Sequence, residues 1–177
     1  SQFDYAGLKK DRSGLDGYLD SLAAVKKSEY SGWSAGDRLA FLINLYNAAT
    51  VKLVIDHYPV KSIREIGGSK GPWKTPIVRV FGGKVTLDHL EHEMIRAKFR
   101  EPRIHFAVNC ASVGCPPLRD EAFTGAKLEP QLREQTSAFL KDRSTNRLSG
   151  NTLQLSALFD WFKDDFIRPA GSVEKYV

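Results

Sequence analysis

Apolar side chains dominate one long stretch of the chain, Asp37–His57, on nearly all sides of the helix that their spacing predicts. An all-round apolar helix is typical of a position buried in a core. Ser34 lies three residues before Asp37, which is the pattern of an N-cap followed by an acidic first turn. Tyr58-Pro59 should end the helix, because the residue before a proline avoids helical geometry. We therefore predict a central, buried helix over this stretch.

Helical periodicity also marks four other stretches, which are expected to pack around the central helix. These predicted helices lie within Leu8–Val25 (from Leu15 onward) and over Leu87–Phe99, Leu128–Arg143 and Ala157–Ile167. By contrast, Ser28–Gly36 is polar and is expected to be a loop. The pattern leaves only short segments for strands.

Three short segments have the β-branched or alternating character of strands. Ile77–Val85 and Arg147–Leu155 each contain a central turn signal and are expected to form hairpins. Ile104–Asn109 is expected to form a buried strand. No regular strand–helix–strand repeat is present, which favours an α+β fold with a small, mostly antiparallel sheet packed on helices.

Length and composition limit the classes of protein that the chain can represent. A chain of 177 residues with 42% hydrophobic and 27% charged residues can form one domain with its own core. We expect a single domain over residues 1–177, with 1–33 as a helical N-terminal segment and 34–177 as the core. The net charge of +5 is small and scattered, and no predicted helix has a basic stripe with interleaved aromatic residues, so no nucleic-acid partner is expected. No apolar run approaches the roughly 18 residues of a membrane span, so none is expected.

The start of the chain bears on where the protein is found. It begins at Ser1 without an initiator methionine, and Met94 is the only methionine. Removal of an upstream signal peptide would produce such a start, and so would a shortened sequence. Export to the periplasm or secretion is therefore the expectation for localisation. The oligomeric state is left open by the sequence.

Cys110 is the first candidate for chemistry, because it directly follows the predicted strand Ile104–Asn109. The attacking species of a reactive cysteine is its thiolate, which needs a base, a cation or free backbone N–H groups nearby. The alternative interpretation is a buried cysteine of the core. A disulfide between Cys110 and Cys115 is a further alternative if the protein is exported.

The predicted helix Leu87–Phe99 carries the second candidate group. Its apolar stripe is expected to comprise Leu87, Leu90, Met94 and Ala97. His92 lies at the edge of that stripe with Glu91 and Arg96 to either side, and a half-buried histidine near a carboxylate can serve as a general base. A solvated helix face is the alternative. His89 and His92 are spaced like a metal pair, but no further ligand follows at a zinc spacing, so no metal is expected.

Asn44 and Asn47 are unusual because they lie within the most apolar helix of the chain. A buried amide is costly unless it is fully hydrogen-bonded, and the spacing of three places both on one face. We expect them to hold a neighbouring loop, or alternatively to orient a histidine or bind an oxyanion. In Trp161–Phe166 the aromatic residues are expected to pack in the core, with Asp165 as a cap or ion-pair partner.

Four ordered motifs resemble the family called domain of unknown function 547. They are FLINLYNA (Phe41–Ala48), VTLDHLEHEMIR (Val85–Arg96), RIHFAVNCASVGCPPLR (Arg103–Arg119) and LSALFDWFKDDF (Leu155–Phe166). The resemblance implies a papain-like or transglutaminase-like cysteine peptidase superfamily, whose members use a cysteine, a histidine and an Asn, Asp or Glu orienter on an α+β fold. Since His92 precedes Cys110 here, the fold would be papain-like or a permuted papain-like one.

Combined with this resemblance, the residues favour a thiol-dependent acyl transferase or a peptide or amide hydrolase. Cys110 would be the nucleophile and His92 the base, with Glu91 or Asn47 orienting the imidazole. The substrate would be a peptide or a small thiol such as glutathione, and no cofactor is expected. Candidate substrate-binding residues are Asn44, Arg96, His105 and Arg119.

Two other functional classes remain open at this point. The domain would be a non-catalytic module that binds a small thiol or a peptide if the site were inactive. Thiol redox chemistry through Cys110 and Cys115 is less favoured, since their spacing is not C-x-x-C and no thioredoxin-like pattern precedes them.

Overall fold

The computed structural model of the chain describes residues 3–112 and 114–177. Helix makes up 61% of the structure, which also contains two small antiparallel sheets in one α+β domain. We name the helices α1 (Tyr5–Lys10), α2 (Ser13–Ala24), α3 (Lys27–Gly32), α4 (Ala35–His57), α5 (Leu87–His89, Leu90–Arg96 and Ala97–Phe99 in continuous succession), α6 (Leu128–Lys141), α7 (Leu158–Trp161), α8 (Lys163–Ala170) and α9 (Val173–Tyr176). The strands are β1 (Val78–Val80), β2 (Gly83–Val85), β3 (Arg147–Ser149) and β4 (Thr152–Gln154).

Helix α4 is the centre of the fold, as its all-round apolar character predicts. It begins two residues earlier than expected, at Ala35, and the Ser34 hydroxyl accepts a hydrogen bond from the Asp37 N–H, which confirms the predicted N-cap. Its most apolar window of 18 residues has a mean hydropathy of 1.4, which meets the length and composition of a membrane span, but 78% of that window is buried by the rest of the protein. Burial of this kind is what a core helix shows.

Both hairpins form where the sequence predicts them, but the expectation of a single small sheet is wrong. Strands β1 and β2 pair with each other, and β3 and β4 form a separate two-stranded sheet. Gly82, in the β1–β2 turn, has a positive φ of 77°. This backbone conformation would be strained in a residue that has a Cβ. The helices therefore form the body of the domain and the hairpins cover its surface.

The prediction of a buried strand over Ile104–Asn109 is also wrong. The segment Pro102–Phe106 is a 3-10 helix, and residues 107–110 after it are irregular. Ile104, Phe106 and Val108 are nevertheless buried, so the apolar pattern correctly indicated burial. A short buried run has no periodicity that separates a strand from a tight helical turn.

Two smaller sequence expectations also need correction. The predicted loop Ser28–Gly36 is mostly helical, because it overlaps α3 and the first two residues of α4. The Tyr30 ring of α3 packs against Phe41 of α4. The predicted last helix is broken at Phe162 and then continues through Pro169 to Ala170. Pro169 thus fails to end the helix.

Two hydrophobic clusters make up the core. The larger surrounds α4 and includes residues of α2, the β1–β2 hairpin and α5. The smaller is aromatic and joins the 3-10 segment to the C-terminal helices through Phe106, Phe139, Leu158, Phe159 and Phe166. The residues discussed below lie where α4, α5 and the C-terminal helices meet.

Candidate functional site

A cavity of about 350 Å³ lies between α4, α5, the segment around residues 105–116 and helix α7. It is lined by Cys110, Cys115, His92, His105 and Glu91, together with aromatic and basic residues. The cavity thus brings together three residues that the sequence proposed as catalytic, Cys110, His92 and Glu91, and one proposed for substrate binding, His105. Asn47, Asn44, Arg96 and Arg119 do not line it.

The cysteine segment is a tight turn closed by a Cys110–Cys115 disulfide. The Asn109 side chain supports this turn, because its amide N–H donates to the Pro116 carbonyl (2.8 Å) and its oxygen accepts from the Ala111 N–H (2.7 Å). Ala111 has a φ of 56°, a left-handed geometry that is unfavourable for a residue with a Cβ. Among the described residues neither cysteine is a free thiol.

His105 lines the cavity and is held in a fixed orientation. Its side chain is fully buried, its ring stacks on Phe162 with 3.8 Å between centroids, and its Nε2 is 2.8 Å from Oδ2 of Asp165. The other ring nitrogen, Nδ1, is buried and has no hydrogen-bond partner among the described residues. Burial lowers the pKa of His105 below its ordinary value, although the bond to Asp165 opposes this shift. The neutral imidazole therefore donates its Nε2–H to Asp165 and keeps a lone pair on Nδ1.

Asp165 of α8 is the anion that fixes this imidazole. The same oxygen, Oδ2, accepts a hydrogen bond from Nε of Arg96 at 2.7 Å. Burial raises the pKa of Asp165, but the hydrogen bonds from His105 and Arg96 outweigh this effect and hold that pKa well below its ordinary value. Asp165 is thus ionised, and the ion-pair role expected for it is confirmed with Arg96 as the partner.

His92 also lines the cavity, but both of its ring nitrogens have neighbours. Its Nδ1 accepts a hydrogen bond from Nη1 of Arg96 at 2.7 Å, since an arginine can only donate. Its Nε2 lies 3.5 Å from Oδ1 of Asp88. His92 therefore belongs to a chain of polar contacts that runs from Asp88 through Arg96 to Asp165 and His105.

Glu91 is buried, although the α-helical pattern placed it beside the apolar stripe. The middle part of α5, Leu90–Arg96, is a π-helix, whose wider turn shifts the residues that face the core. Ile95 is consequently buried, whereas Ala97, an expected core residue, is exposed. Glu91 now lines the cavity near Tyr46 of α4.

Tyr46 is a site residue that the sequence interpretation missed. Its side chain is fully buried, and its hydroxyl has no hydrogen-bond partner among the described residues. Burial raises the pKa of Tyr46 well above its ordinary value, and the negative charge of Glu91 adds to this shift. The signal was present in the sequence, since this polar atom lies in the apolar helix between Asn44 and Asn47.

The two asparagines hold the backbone of neighbouring segments, as the first of the two interpretations expected. The Asn44 amide donates to the Phe123 carbonyl (2.8 Å) and accepts from the Phe123 N–H (2.9 Å). The Asn47 amide donates to the Ala107 carbonyl (2.9 Å) and accepts from the Asn109 N–H (2.8 Å). Asn47 thus holds the chain that leads into Cys110, and its amide is occupied by this backbone rather than by an imidazole.

The two arginines expected to bind substrate are engaged in ion pairs. Arg96 bonds to Asp165 as described, and Arg119 bonds to Glu121 (2.8 Å) and Glu134 (2.9 Å). Arg119 lines a separate groove beside the cysteine turn, and Asn44 and Asn47 line the same groove. Within residues 3–112 and 114–177, no group of three or more His, Cys, Asp or Glu is arranged to hold a metal ion.

Comparison with known proteins identifies a family. The model of a family described as proteins of unknown function, DUF547, matches residues 30–140. This range contains α4, α5 and the cysteine turn, and it ends before Asp165. Neither the curated proteins nor the solved structures contain a match to the chain. Since the family model covers more than half of the sequence, the chain belongs to the DUF547 family.

Proposed function

We propose that the protein is a thiol-dependent acyl transferase or hydrolase in which Cys110 is the nucleophile and His105, oriented by Asp165, is the base. The observation that carries this proposal concerns Nδ1 of His105, which is buried and has no hydrogen-bond partner in residues 3–112 and 114–177. The His105 side chain lines the same cavity as Cys110. A carboxylate bonded to one imidazole nitrogen leaves the other nitrogen available for proton transfer, which is the logic of a catalytic triad.

The reaction follows from these three groups. In the reduced protein, His105 Nδ1 takes the proton of the Cys110 thiol, and the thiolate attacks the carbonyl carbon of the substrate. The tetrahedral intermediate breaks the bond to the leaving group, which receives that proton from the imidazolium, and a thioester remains on Cys110. Attack by water on the thioester gives hydrolysis, and attack by another nucleophile gives acyl transfer.

His105 is a better base than His92, which the sequence favoured. Arg96 occupies the lone pair of His92 Nδ1, so that the proton of His92 lies on Nε2, facing Asp88. Such an imidazole has no free lone pair for a thiol. His92 instead keeps Arg96 in place, and Arg96 in turn helps to hold Asp165.

The Cys110–Cys115 disulfide makes activity dependent on reduction. The two thiols of a reductant such as dithiothreitol would be oxidised to a disulfide, and Cys110 and Cys115 would be reduced to free thiols. Only then can His105 deprotonate Cys110. A disulfide in the resting protein also supports the expectation of an exported, periplasmic or secreted protein, since disulfides persist in oxidising compartments.

The same three residue types support a papain-like placement. Papain-like enzymes combine Cys, His and an orienting Asn or Asp on an α+β fold, and this proposal uses Cys110, His105 and Asp165. The order of these residues along the chain, with histidine before cysteine, corresponds to a permuted arrangement.

Thiol–disulfide exchange is a second candidate, because both sulfurs of the disulfide line the cavity. In that case Cys110 and Cys115 together would accept two electrons from a bound dithiol. A third class, a module that binds a small thiol or a peptide without reacting, would use the same cavity. The three functions differ in their need for Cys115 and for His105.

An activated ester separates these functions. The protein is reduced and treated with p-nitrophenyl acetate, and the acetyl group on each cysteine is located by mass spectrometry. We expect acetylation of Cys110, retained in Cys115→Ser and strongly slowed in His105→Ala. Equally slow acetylation of Cys110 in the natural, Cys115→Ser and His105→Ala proteins would contradict the catalytic proposal. In that case, oxidation of a dithiol that is lost in Cys115→Ser would favour disulfide exchange, and absence of this oxidation in every variant would favour a binding module.

A further inference from the structure

The mouth of the cavity carries a set of cations that the catalytic proposal does not use. Arg64, Lys70 and Lys74 line it, and all three are exposed. They lie on three successive short 3-10 turns, Ile63–Glu65, Gly68–Lys70 and Pro72–Lys74, with one cation on each. None forms an ion pair with an acidic residue in the part of the chain that the structure describes.

Aromatic surface lies next to these cations. Trp161 of α7 lines the cavity while 60% of its surface is exposed, and Trp73 lies between Lys70 and Lys74 along the chain. An exposed tryptophan at a cavity is a surface on which a flat or apolar group can stack.

The acidic residues of the cavity lie apart from the three cations along the chain. Asp88 and Glu91 both belong to α5, where Asp88 is near His92 and Glu91 is buried near Tyr46. The turn Pro72–Lys74 packs against Leu87–His89, the part of α5 that carries Asp88. The three exposed cations nevertheless outnumber the two carboxylates of the lining, and one of these, Glu91, is buried. The net charge of the lining is therefore positive and attracts an anionic group to the mouth.

We infer that this mouth binds an acyl substrate that carries a carboxylate attached to a flat or apolar group. Arg64, Lys70 and Lys74 bind the carboxylate, and Trp161 with Trp73 contacts the apolar group. This inference rests on the proposed function for the role of Cys110, and it replaces Arg96 and Arg119, the arginines that the sequence favoured for this task. Both of those are neutralised by ion pairs.

The charge of an alkylating reagent tests the cation set directly. In Cys115→Ser protein, Cys110 is the sole cysteine, and its alkylation rate by anionic iodoacetate is divided by the rate with neutral iodoacetamide. We expect this ratio to exceed that of N-acetylcysteine by roughly tenfold at low salt. It should approach the N-acetylcysteine ratio at about 1 M salt, where the Debye length is about 3 Å.

Charge-removing variants identify the residues responsible. Arg64→Gln, Lys70→Gln and Lys74→Gln should each lower the ratio, whereas Lys61→Gln, at an exposed position outside the cavity, should leave it unchanged. A ratio equal to that of N-acetylcysteine, or one insensitive to all three variants, would overturn the inference. If Cys115→Ser does not fold, the reduced natural protein gives the same ratio when each cysteine is quantified by mass spectrometry.

This test is independent of the catalytic proposal. Above about pH 9 the thiolate forms without help from a base, so the ratio remains measurable even if His105 has no influence on Cys110. If His105→Ala does not change the reactivity of Cys110 but the iodoacetate-to-iodoacetamide ratio is high, only the catalytic claim is contradicted. If that ratio equals the ratio of N-acetylcysteine but His105→Ala does slow Cys110, only the substrate claim is contradicted.

Competing ligands test the aromatic part. Benzoate should slow the alkylation of Cys110 by iodoacetamide more than either benzamide or inorganic phosphate does, because only benzoate has both a ring and a carboxylate. Trp161→Ala should remove most of this difference. Equal protection by phosphate and benzoate would show that the ring contributes nothing, and absence of protection by benzoate would contradict the site itself.

Discussion

His105 combines full burial of its side chain with a fixed ring orientation. A buried polar atom without a partner costs about 1–3 kcal/mol, and within the part of the chain that the structure describes Nδ1 of His105 is such an atom. The hydrogen bond from Nε2 to Asp165 and the stacking on Phe162 fix the orientation of the ring. A fixed, neutral imidazole in a cavity lined by a cysteine is suited to proton transfer.

Replacement of Asp165 should expose the contribution of this orientation. In Asp165→Asn the imidazole loses the anion that fixes its tautomer, and we expect acetylation of Cys110 by p-nitrophenyl acetate to slow by roughly 10²–10⁴-fold, the range for a general base. The pH midpoint of the reaction should also rise. Asp164→Asn, at the exposed neighbouring position, is the control. Equal rates in the two variants would remove Asp165 from the site.

At the residue scale the sequence predicted the types of group better than their partners. Cys110, His92 and Glu91 do line one cavity, as their motifs indicated. The pairing of His105 with Asp165 was not predictable, because the two residues are 60 positions apart and meet only through tertiary packing. Glu91 faces inward because of a π-helix, and no pattern based on α-helical spacing includes such a turn.

Two helices position the site. Helix α4 presents its asparagines to the backbone of two irregular segments, and α5 presents Glu91 and His92 through its π-helical part. Irregular backbone cannot satisfy its own polar groups, so an amide from a rigid helix both pairs it and fixes its path. The central helix was predictable almost to its ends, because its apolar character and its Ser34 cap are local signals.

Removal of the Asn47 amide should loosen the cysteine turn. Asn47→Ala leaves the Ala107 carbonyl and the Asn109 N–H without their partner, and we expect the free energy of unfolding to fall by about 1–3 kcal/mol in urea denaturation. Acetylation of Cys110 should slow as well, since Asn109 supports the turn. Asn151→Ala, at an exposed hairpin turn, should change neither quantity. An Asn47→Ala protein with natural stability and natural reactivity would contradict this role.

For the whole molecule, the cavity is formed where the two parts of the core meet. The larger cluster around α4 and α5 provides Tyr46 and Glu91, and the aromatic cluster brings α8 with Asp165 against the 3-10 segment of His105.

The sequence correctly predicted α+β secondary structure, but it also predicted one sheet where there are two separate hairpins. Hairpin turns are local signals, whereas the association of hairpins depends on the packing of the complete chain. The matched family range, residues 30–140, does not include the segment that supplies Asp165 and Trp161.

Acidification should destabilise the folded protein in a defined pH window. The pKa of His105 is lower in the folded state than the ordinary value of about 6.5, so the unfolded state binds more protons just below that value. Stability is therefore complete above about pH 6.5 and falls as the pH decreases towards the lowered pKa. Asp165, whose folded pKa is also lowered, adds a further loss below about pH 4.

The measurement is the free energy of unfolding in urea at pH 7 and pH 5. The natural protein should lose stability over this interval, and His105→Gln should lose less because the shifted group is absent. His89→Gln, at an exposed position, should behave like the natural protein. A His105→Gln protein with the full pH dependence would show that another group is responsible.

The most direct test of the central claim is the pH dependence of Cys110 alkylation by iodoacetamide in the reduced protein. A thiol paired with His105 should have a midpoint well below the free-thiol pKa of about 8.5, and His105→Ala should move the midpoint up to that value. His92→Ala should move it much less, because its ring nitrogens already face Arg96 and Asp88. A midpoint at or above about 8.5 in the natural protein, with no response to His105→Ala, would contradict the account, and a large shift in His92→Ala alone would assign the base to His92 instead.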